Sequence, residues 1–429
     1  MSALASYIEG FQALPKAAGW LQSLRQDSLR RAEIRGFPTV RDEAWKYTST
    51  TMLEKRGFRP AATRAKLDAA ALARLVIPAL EGPQVVFMNG HYQAGLSRLP
   101  AGVRVVSADS MTEDLRELLR VPAAWEDDTF LNLNTALFQD LLILELAAGV
   151  ALESPLEILH VSVPEAQPAS HHPRFLLKLG EAARALVVER YTGLEGAANL
   201  TNSVLQASLA KGAQLTHVRL QEESPQGFHV GRVLVQQAAE SRYVSHNVQT
   251  GAAWARLDIA TDLNAPGAAA ELDGLYAISG RQHVDNHTHI SHLAHHTGSR
   301  ELYRGVLDGH GRAVFNGKVL VAKRADKTDS SQANHNLLLS KGAEIDTKPE
   351  LEIYADDVKC AHGATIGQLD EQQLFYLRSR GIDSAAARSL LVGAFAERLV
   401  ALLPHSALSV HVRSRLAAAI RDLSLPESA

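Results

Sequence analysis

Residues 350–363, Glu-Leu-Glu-Ile-Tyr-Ala-Asp-Asp-Val-Lys-Cys-Ala-His-Gly, contain two short strand-like runs separated by a polar break at Asp356 and Asp357. The same pattern extends from about residue 84 to residue 367: apolar runs of roughly three to eight residues, bounded by Gly, Asn, Asp or Ser, which is typical of β-strands. Further examples are residues 85–87 (Val-Val-Phe), 186–188 (Leu-Val-Val), 233–235 (Val-Leu-Val) and 319–321 (Val-Leu-Val). The chain is therefore predicted to be mainly β in its middle part.

The arrangement of these strands favours a coiled stack over the more common β folds. Long helical patterns, which a parallel sheet with crossover helices requires, are scarce after residue 155. The Asn-Gly and Asp-Gly turns that mark hairpins occur in that region only at residues 273–274, 308–309 and 316–317. We therefore predict a β-helix or solenoid, although the sequence has no strict repeat period.

Helical patterns occupy both ends of the chain. Leu21 and Leu24 recur at helical spacing near the start, and Asp370 with Gln373 resembles a capping box after the strands end. The sequence predicts an N-terminal helical domain over residues 1–90, a β-helix core over 91–367 and a C-terminal helical domain over 368–429. The apolar face of the last domain is interpreted either as internal core or as a partner-docking surface, and consists of Leu391, Phe395, Leu399 and Leu402.

The composition disfavours several classes of protein. The 429 residues include 44 basic and 47 acidic side chains, and the net charge of −3 argues against a nucleic-acid binder. Cys360 is the only cysteine, which excludes an intrachain disulfide and a Cys-rich metal site. The first 14 residues lack the features of a secretory signal, and charged residues interrupt the longest apolar region, residues 131–152. We expect a cytoplasmic protein without a membrane span.

Cys360 and His362 are the residues best suited to chemistry. Alternation along a strand places both side chains on one face, with Cα atoms roughly 6.6 Å apart. A thiolate beside an imidazole can bind iron or zinc, or act as a nucleophile and base; alternatively, Cys360 is a small buried hydrophobe and His362 its hydrogen-bonded neighbour. Two ligands make half of a tetrahedral site. If the site binds metal, the remaining ligands are expected from another chain.

Six histidines lie within 14 residues, but their spacing is irregular. Parity divides them between the two faces of a continuous strand, and no acidic or cysteine partner repeats among them. They are interpreted as part of a polar, partly exposed strand, with metal binding as the alternative. The residues are His283, His287, His289, His292, His295 and His296.

The only segment that resembles a nucleotide-binding loop departs from the Walker pattern. Gly311 and Gly317 enclose five residues instead of four, and Val319 occupies the position where Ser or Thr would hold magnesium. We therefore expect no ATP hydrolysis by this chain itself.

Four segments in fixed order resemble the SufB/SufD family of the SUF iron-sulfur cluster assembly system. They are residues 299–307 (Ser-Arg-Glu-Leu-Tyr-Arg-Gly-Val-Leu), 314–319 (Val-Phe-Asn-Gly-Lys-Val), 334–340 (Asn-His-Asn-Leu-Leu-Leu-Ser) and 355–367 (Ala-Asp-Asp-Val-Lys-Cys-Ala-His-Gly-Ala-Thr-Ile-Gly). Residues 45–48, Trp-Lys-Tyr-Thr, also resemble the N-terminal region of the family. The likeness therefore covers most of the chain, with a looser middle part.

The resemblance implies a right-handed parallel β-helix flanked by helical N-terminal and C-terminal domains. It also implies a non-enzymatic subunit that pairs with a SufB-like paralogue and binds a SufC-like ATPase through its C-terminal helical domain. In family terms His362 matches an interface histidine proposed as a cluster or iron ligand, and Cys360 matches the neighbouring cysteine. The single cysteine favours the SufD branch over the SufB branch, whose members typically carry further sulfur-accepting cysteines.

The cofactor expected from the resemblance is a transient Fe-S cluster or iron shared with the SufB-like partner. One cysteine cannot hold a cluster that requires about four protein ligands, so the isolated chain is expected to bind none. Without its partners the chain is expected to be able to form a homodimer, because the two paralogues share one fold.

Three other interpretations remain open from the sequence. In the first, Cys360 and His362 act as the nucleophile and base of an acyl- or sulfur-transferring enzyme, which requires a lowered pKa of the thiol. A carbohydrate-binding or carbohydrate-cleaving β-helix would need an aromatic groove, which the aromatic content of 6% disfavours. In the third, the chain has a purely structural role; this differs from the ligand hypothesis only in the expected effect of substituting His362.

Overall fold

The computed structural model describes residues 4–17, 19–61 and 69–422. In this part of the chain, strands form a parallel β-solenoid, preceded and followed by helices. The predicted fold class, mainly β with helical ends, is confirmed. The division into domains at residues 90 and 367 stays a prediction.

Helices occupy the two ends of the chain and one internal segment. They are α1 (Ala5–Ala13), α2 (Gly19–Arg35), α3 (Thr51–Arg56), α4 (Ala69–Ala73), α5 (Thr129–Leu137), α6 (Glu371–Ser379), α7 (Ser384–Val400) and α8 (Ser406–Asp422). Short 3-10 helices lie at Glu43–Trp45, Ala94–Leu96, Ala108–Ser110, Glu113–Leu115, Glu117–Leu119 and Ala123–Trp125. Among the described residues, no helix is long and apolar enough to cross a membrane. The cytoplasmic location stays a prediction.

The strands become regular in length after the first few. They are β1 (Arg59–Pro60), β2 (Gln84–Met88), β3 (His91–Tyr92), β4 (Val103–Ser107), β5 (Asp140–Leu146), β6 (Leu156–Ser162), β7 (Ala169–His171), β8 (Arg174–Leu179), β9 (Arg184–Gly193), β10 (Leu200–Leu209), β11 (Gln214–Glu222), β12 (Phe228–Gln237), β13 (Arg242–Gln249), β14 (Trp254–Leu263), β15 (Ala269–Ile278), β16 (His283–His292), β17 (Gly298–Leu307), β18 (Arg312–Val321), β19 (Asp329–Leu338), β20 (Glu344–Ile353) and β21 (Lys359–Gly367).

Successive strands alternate between two sheets, which coils the chain. One sheet runs in the order β20-β18-β16-β14-β12-β10-β8-β5-β4, and the other in the order β21-β19-β17-β15-β13-β11-β9-β6-β2-β3. Pairing is parallel throughout except for β2 with β3 and β4 with β5. These antiparallel pairs end the two sheets at what we call the closed end, formed by β2–β5.

The solenoid interior is apolar along much of its length. Alternate residues of each strand point inward, as Phe315, Val319 and Val321 of β18 do, and each is at most 1% exposed. Burial of such a side chain contributes about 1.5–3 kcal/mol. The turns are tight enough that some require glycine: Gly309 has φ +60°, and a Cβ there would lie 3.0 Å from the backbone N of Gly280 in the preceding coil.

The C-terminal helices pack on the outer face of the second sheet. Leu399 and Leu408 are buried in one cluster with Val218 and Leu275 of that sheet, whereas Leu402 is 48% exposed. The predicted apolar face therefore serves as core in part. The predicted cap at Asp370 is confirmed, since Asp370 accepts from the backbone N–H of Gln372 at 2.8 Å, and Asp383 caps α7 in the same way by accepting from that of Ala385 at 3.0 Å.

The aromatic segment at residues 45–48 anchors the N-terminal part to the solenoid. Trp45 is buried and stacks between Phe130 and Trp254 at centroid distances of 5.4 and 6.4 Å. The Arg256 guanidinium lies 3.9 Å from the Trp45 ring centroid, and Thr48 donates to Asp285 at 2.6 Å. These contacts account for residues 45–48 as a packing anchor between the N-terminal part and the solenoid.

Candidate functional site

The candidate site lies at the open end of the solenoid, which is formed by β20 and β21. Within the described residues, β20 pairs only with β18, and β21 pairs only with β19, so one edge of each strand has no strand neighbour. Neither strand contains a fully buried residue. Long unpaired edges promote association with another chain, and most proteins shorten, cover or charge them.

Cys360 and His362 lie on β21, and the register with β19 fixes the direction of both side chains. Cys360 pairs with Ser330 and His362 with Gln332. These β19 residues are 3% and 4% exposed inside the solenoid. Since paired residues of parallel strands point to the same side, Cys360 and His362 both face the solenoid axis. Cys360 packs partly against the core, and His362 is exposed at the end of the stack.

The Cys360 thiol lacks the environment of an activated nucleophile. Burial raises the pKa of the Cys360 thiol, the Asp329 carboxylate raises it further, and the backbone N–H of Ser330 offsets part of the increase. A Cys-His enzyme requires a lowered thiol pKa, because the thiolate is the reactive form. The structure therefore counts against the enzymatic interpretation.

The pair supplies two donors suited to iron, a sulfur and an imidazole nitrogen. Across the residues that the structure describes, no group of three or more His, Cys, Asp and Glu side chains lies close enough to hold a metal ion. The two donors fit iron or an Fe-S cluster in chemical type and fall short in number, since a cluster takes about four ligands. Whether they bind either one stays a prediction.

The side chains that lie directly behind the pair were not predicted from the sequence. Glu301 pairs with Gln332, which pairs with His362, and Ser299 pairs with Ser330, which pairs with Cys360. Each set forms a column along the solenoid axis. Within the columns the Ser299 and Ser330 hydroxyls are 2.8 Å apart, and Gln332 Nε2 donates to Glu301 Oε2 at 2.6 Å. The signal that would have revealed them is the 31-residue spacing of these two bonded pairs.

The histidine-rich segment forms β16 and the following turn, and its members do not converge on one point. His292 is buried, which lowers its pKa to about 4, and contacts Thr297 Oγ1 at 2.7 Å and Ser299 Oγ at 2.9 Å. His287 lies 3.0 Å from Asp285, while His295 and His296 are exposed in the turn. These contacts support the interpretation as a polar strand.

The rejected nucleotide motif is part of a strand. Gly317 and Lys318 lie within β18, where Lys318 Nζ forms an ion pair with Glu352 at 2.8 Å. The extended backbone of a paired strand does not form the loop of converging N–H groups that cradles phosphates. The structure gives this segment no nucleotide-binding geometry.

Comparison with known proteins identifies the family of the chain. Residues 162–395 match the family model described as the SUF system FeS cluster assembly, SufBD core domain, and residues 6–158 match the SufBD protein N-terminal region. Together the two models span the solenoid and the helices that precede it, and they include Cys360 and His362.

Individual relatives match over nearly the whole chain. The iron-sulfur cluster assembly protein SufD of Escherichia coli is 34% identical, over 95% of this chain and 93% of the relative. An iron-sulfur cluster assembly SufBD family protein of Synechocystis is 34% identical over 88% and 86%, and a chloroplastic protein of Arabidopsis thaliana is 29% identical over 95% and 88%. The solenoid, the open end and these likenesses together show that the chain belongs to the SufBD family of the SUF iron-sulfur cluster assembly system.

Proposed function

We propose that this chain is a SufD-like, non-catalytic subunit that assembles Fe-S clusters together with a SufB-like paralogue and a SufC-like ATPase. Family membership supports the role in cluster assembly. One observation carries the finer proposal: the single cysteine of the chain and His362 lie side by side at the unpaired edge of the solenoid. In this proposal, the nascent cluster or iron is cargo held between two chains.

The open end has the features of a surface that receives another β-solenoid. The unpaired edges of β20 and β21 offer backbone donors and acceptors to a strand of the partner, as in β-augmentation. Ile353, Tyr354 and Ile366 are 41%, 59% and 53% exposed there, so the same surface also has apolar area to bury. A partner strand would lie about 4.8 Å from β21, close enough to bring its own ligands beside Cys360 and His362.

The two donors of this chain differ in how readily they would bind the cargo. Metal ligands must be deprotonated, and burial raises the pKa of the Cys360 thiol, so cargo binding at this sulfur releases a proton. His362 is exposed at the end of the stack, whereas Cys360 is partly buried against the core. We infer that His362 is the principal ligand of this chain, that Cys360 assists it, and that the SufB-like partner provides the others.

The C-terminal helices are the proposed docking surface for the SufC-like ATPase. Phe375 and Tyr376 on α6 are 73% and 57% exposed, and α6 contains no buried residue. A groove of about 580 Å³ lies between α7 and α8 and is lined by Leu390, Gly393 and Leu416 among others. Large exposed aromatic and apolar patches mark protein interaction sites.

The test is anaerobic co-expression of the full chain with its SufB-like and SufC-like partners, followed by iron and sulfide analysis of the purified complex. His362→Ala should lower the cargo retained by a complex of unchanged composition, and Cys360→Ser should lower it less. His295→Ala, which removes an exposed imidazole from the turn before β17, is the matched control. Full retention in His362→Ala would refute the ligand role, and recovery of the chain only as a homodimer would refute the complex.

A further inference from the structure

The column of side chains behind His362 is built around one buried amide. In-register pairing aligns Glu301, Gln332 and His362 in three successive coils of the second sheet. Neighbouring strands are about 4.8 Å apart, and inward side chains of adjacent coils therefore lie within hydrogen-bonding reach. The bond between Glu301 and Gln332 demonstrates this reach within the column itself.

Gln332 is held by contacts on two sides. Its Nε2 donates to Glu301 Oε2 at 2.6 Å, toward the interior of the solenoid. Across the core its amide packs against Gly317, where a Cβ atom would lie 2.0 Å from Nε2. Any residue other than glycine at position 317 would displace the Gln332 side chain. The fold thus reserves space for this amide and fixes its orientation.

The amide oxygen is left with an unused acceptor. Gln332 is 4% exposed, and among the described residues its Oε1 has no hydrogen-bond partner. A buried acceptor without a donor costs about 1–3 kcal/mol. Because Nε2 binds back to Glu301, the oxygen is free for the opposite neighbour in the column, and that neighbour is His362. An imidazole always offers at least one N–H.

We propose that Gln332, oriented by Glu301, is a positioning residue: rotation of the exposed His362 side chain brings its ring N–H to the Gln332 Oε1 that has no partner among the described residues, and this bond selects the His362 tautomer. The other ring nitrogen then carries the lone pair and faces the open end, where the cargo would bind. Histidine ligands in metal sites commonly donate their second nitrogen in this way, which fixes the ring and strengthens the ligand. This inference rests on the proposed function of His362.

The experiment measures the tautomer of His362 by ¹⁵N NMR of the full chain labelled at histidine, at a fixed pH at which the ring is neutral. Exposed His310 serves as an internal reference in the same spectrum. We expect the His362 tautomer ratio to differ from that of His310 by about fivefold, the effect of one ordinary hydrogen bond. Equal ratios in the unsubstituted chain would overturn the proposal, whatever any variant does.

Gln332→Leu removes the acceptor and keeps a side chain of similar size. We expect its His362 ratio to move to that of His310. Ser330→Ala is the matched control, because Ser330 is equally buried on the same strand and lies behind Cys360 instead. It should leave the His362 ratio unchanged. An unchanged ratio in folded Gln332→Leu, or an equal change in Ser330→Ala, would refute selection by Gln332.

Iron and sulfide retention in the complex separates this inference from the function on which it rests. If His362→Ala keeps its cargo, the ligand role fails regardless of the tautomer. If His362→Ala loses cargo while Gln332→Leu changes neither the tautomer nor retention, only the positioning role fails. Support for both requires that Gln332→Leu shifts the tautomer and lowers retention by less than His362→Ala does.

Discussion

At the closed end, the antiparallel strands β3 and β4 finish the two sheets after 2 and 5 residues, whereas at the open end β20 and β21 present edges of 10 and 9 residues. Phe87 in the first coils is 1% exposed, but Ile366 in the last coil is 53% exposed. The same coil architecture is thus sealed on one side and left accessible on the other.

This difference shows where the chain gains stability and where it retains binding capacity. A solenoid needs a cap at each end, because a coil without a neighbour leaves apolar area and backbone groups exposed. The closed end is capped by the chain's own strands. The open end lacks such a cap within the described residues, and the proposed partner would provide it.

The largest effect is expected from weakening the closed end. Phe87→Ala should lower the free energy of unfolding by about 3–5 kcal/mol, because the ring is buried among Tyr92, His160 and Phe175. Urea unfolding of the isolated chain measures this loss. Ile366→Ala at the open end is the matched substitution and should cost below about 0.5 kcal/mol. Equal losses at the two ends would show that the open end is also packed.

The second prediction concerns the pH response of the solenoid interior near the open end. Burial raises the pKa of Glu301 from 4.5 to about 7. Folding therefore favours the protonated carboxyl, and this stabilisation is complete below pH 4.5 and is lost as the pH rises through 7. The side chain of Glu301→Gln stays neutral. Relative to that variant, the free energy of unfolding of the unsubstituted chain should fall by about 2 kcal/mol between pH 5 and 8.

Parallel urea titrations of the two proteins at several pH values measure this difference. Taking the difference between the two proteins removes the contribution of histidines that titrate in the same range. A difference that stays constant from pH 5 to 8 would mean that the Glu301 carboxyl is not buried as the structure describes.

The third prediction tests the unpaired edge of β21. The backbone N–H of Lys359 donates to Thr328 of the preceding coil at 2.9 Å. Since N–H groups alternate in direction along a strand, that of Ala361 points to β19 and that of Ala364 to the free edge. Ala364→Pro should therefore weaken binding of the proposed SufB-like partner by about tenfold, with little change in stability.

Ala361→Pro is the matched control, since it removes a donor from the internal ladder. It should destabilise the last coil of the isolated chain, which thermal unfolding would detect. Binding titration of both variants distinguishes the two directions. Unchanged partner affinity in Ala364→Pro would exclude backbone pairing along this edge and leave only side-chain contacts for the interface.

The smallest effect is expected from an exposed ion pair that ties β20 to β18. Arg312 and Glu344 are 63% and 57% exposed, and such pairs contribute about 0.2–1 kcal/mol. Arg312→Ala should lower stability by that amount at low salt and by less at high salt. Urea unfolding at two salt concentrations is the measurement. A loss independent of salt would assign the effect to packing of the arginine side chain.

The strands and the pair at the open end were predictable because both depend on short-range patterns. Alternation within a single strand suffices to place Cys360 and His362 on one face. The capping residue Asp370 was recognisable for the same reason, since it binds the backbone N–H groups two and three residues away. Strand alternation and helix capping can therefore be recognised in the sequence without knowledge of the fold.

The positions that were missed depend on distances along the chain that the sequence does not display. Glu301 and Gln332 are 31 residues apart and meet only because the coil has that length. The apolar region at residues 131–152 contains most of α5 and then β5, and a short apolar run has no periodicity that separates a buried helix from a buried strand. The sequence also predicts a helix over residues 61–75, part of which lies outside the described residues; the described part forms α4 at Ala69–Ala73.

The regular stacking of coils also sets a length scale for the assembly. From β2 to β21 the second sheet makes eight steps between neighbouring strands, a span of roughly 38 Å. Adding or deleting one whole coil would lengthen or shorten this span by about 4.8 Å and leave the chemistry of both ends unchanged. The separation between the closed end and a partner at the last strand is therefore determined by the number of coils, in discrete increments.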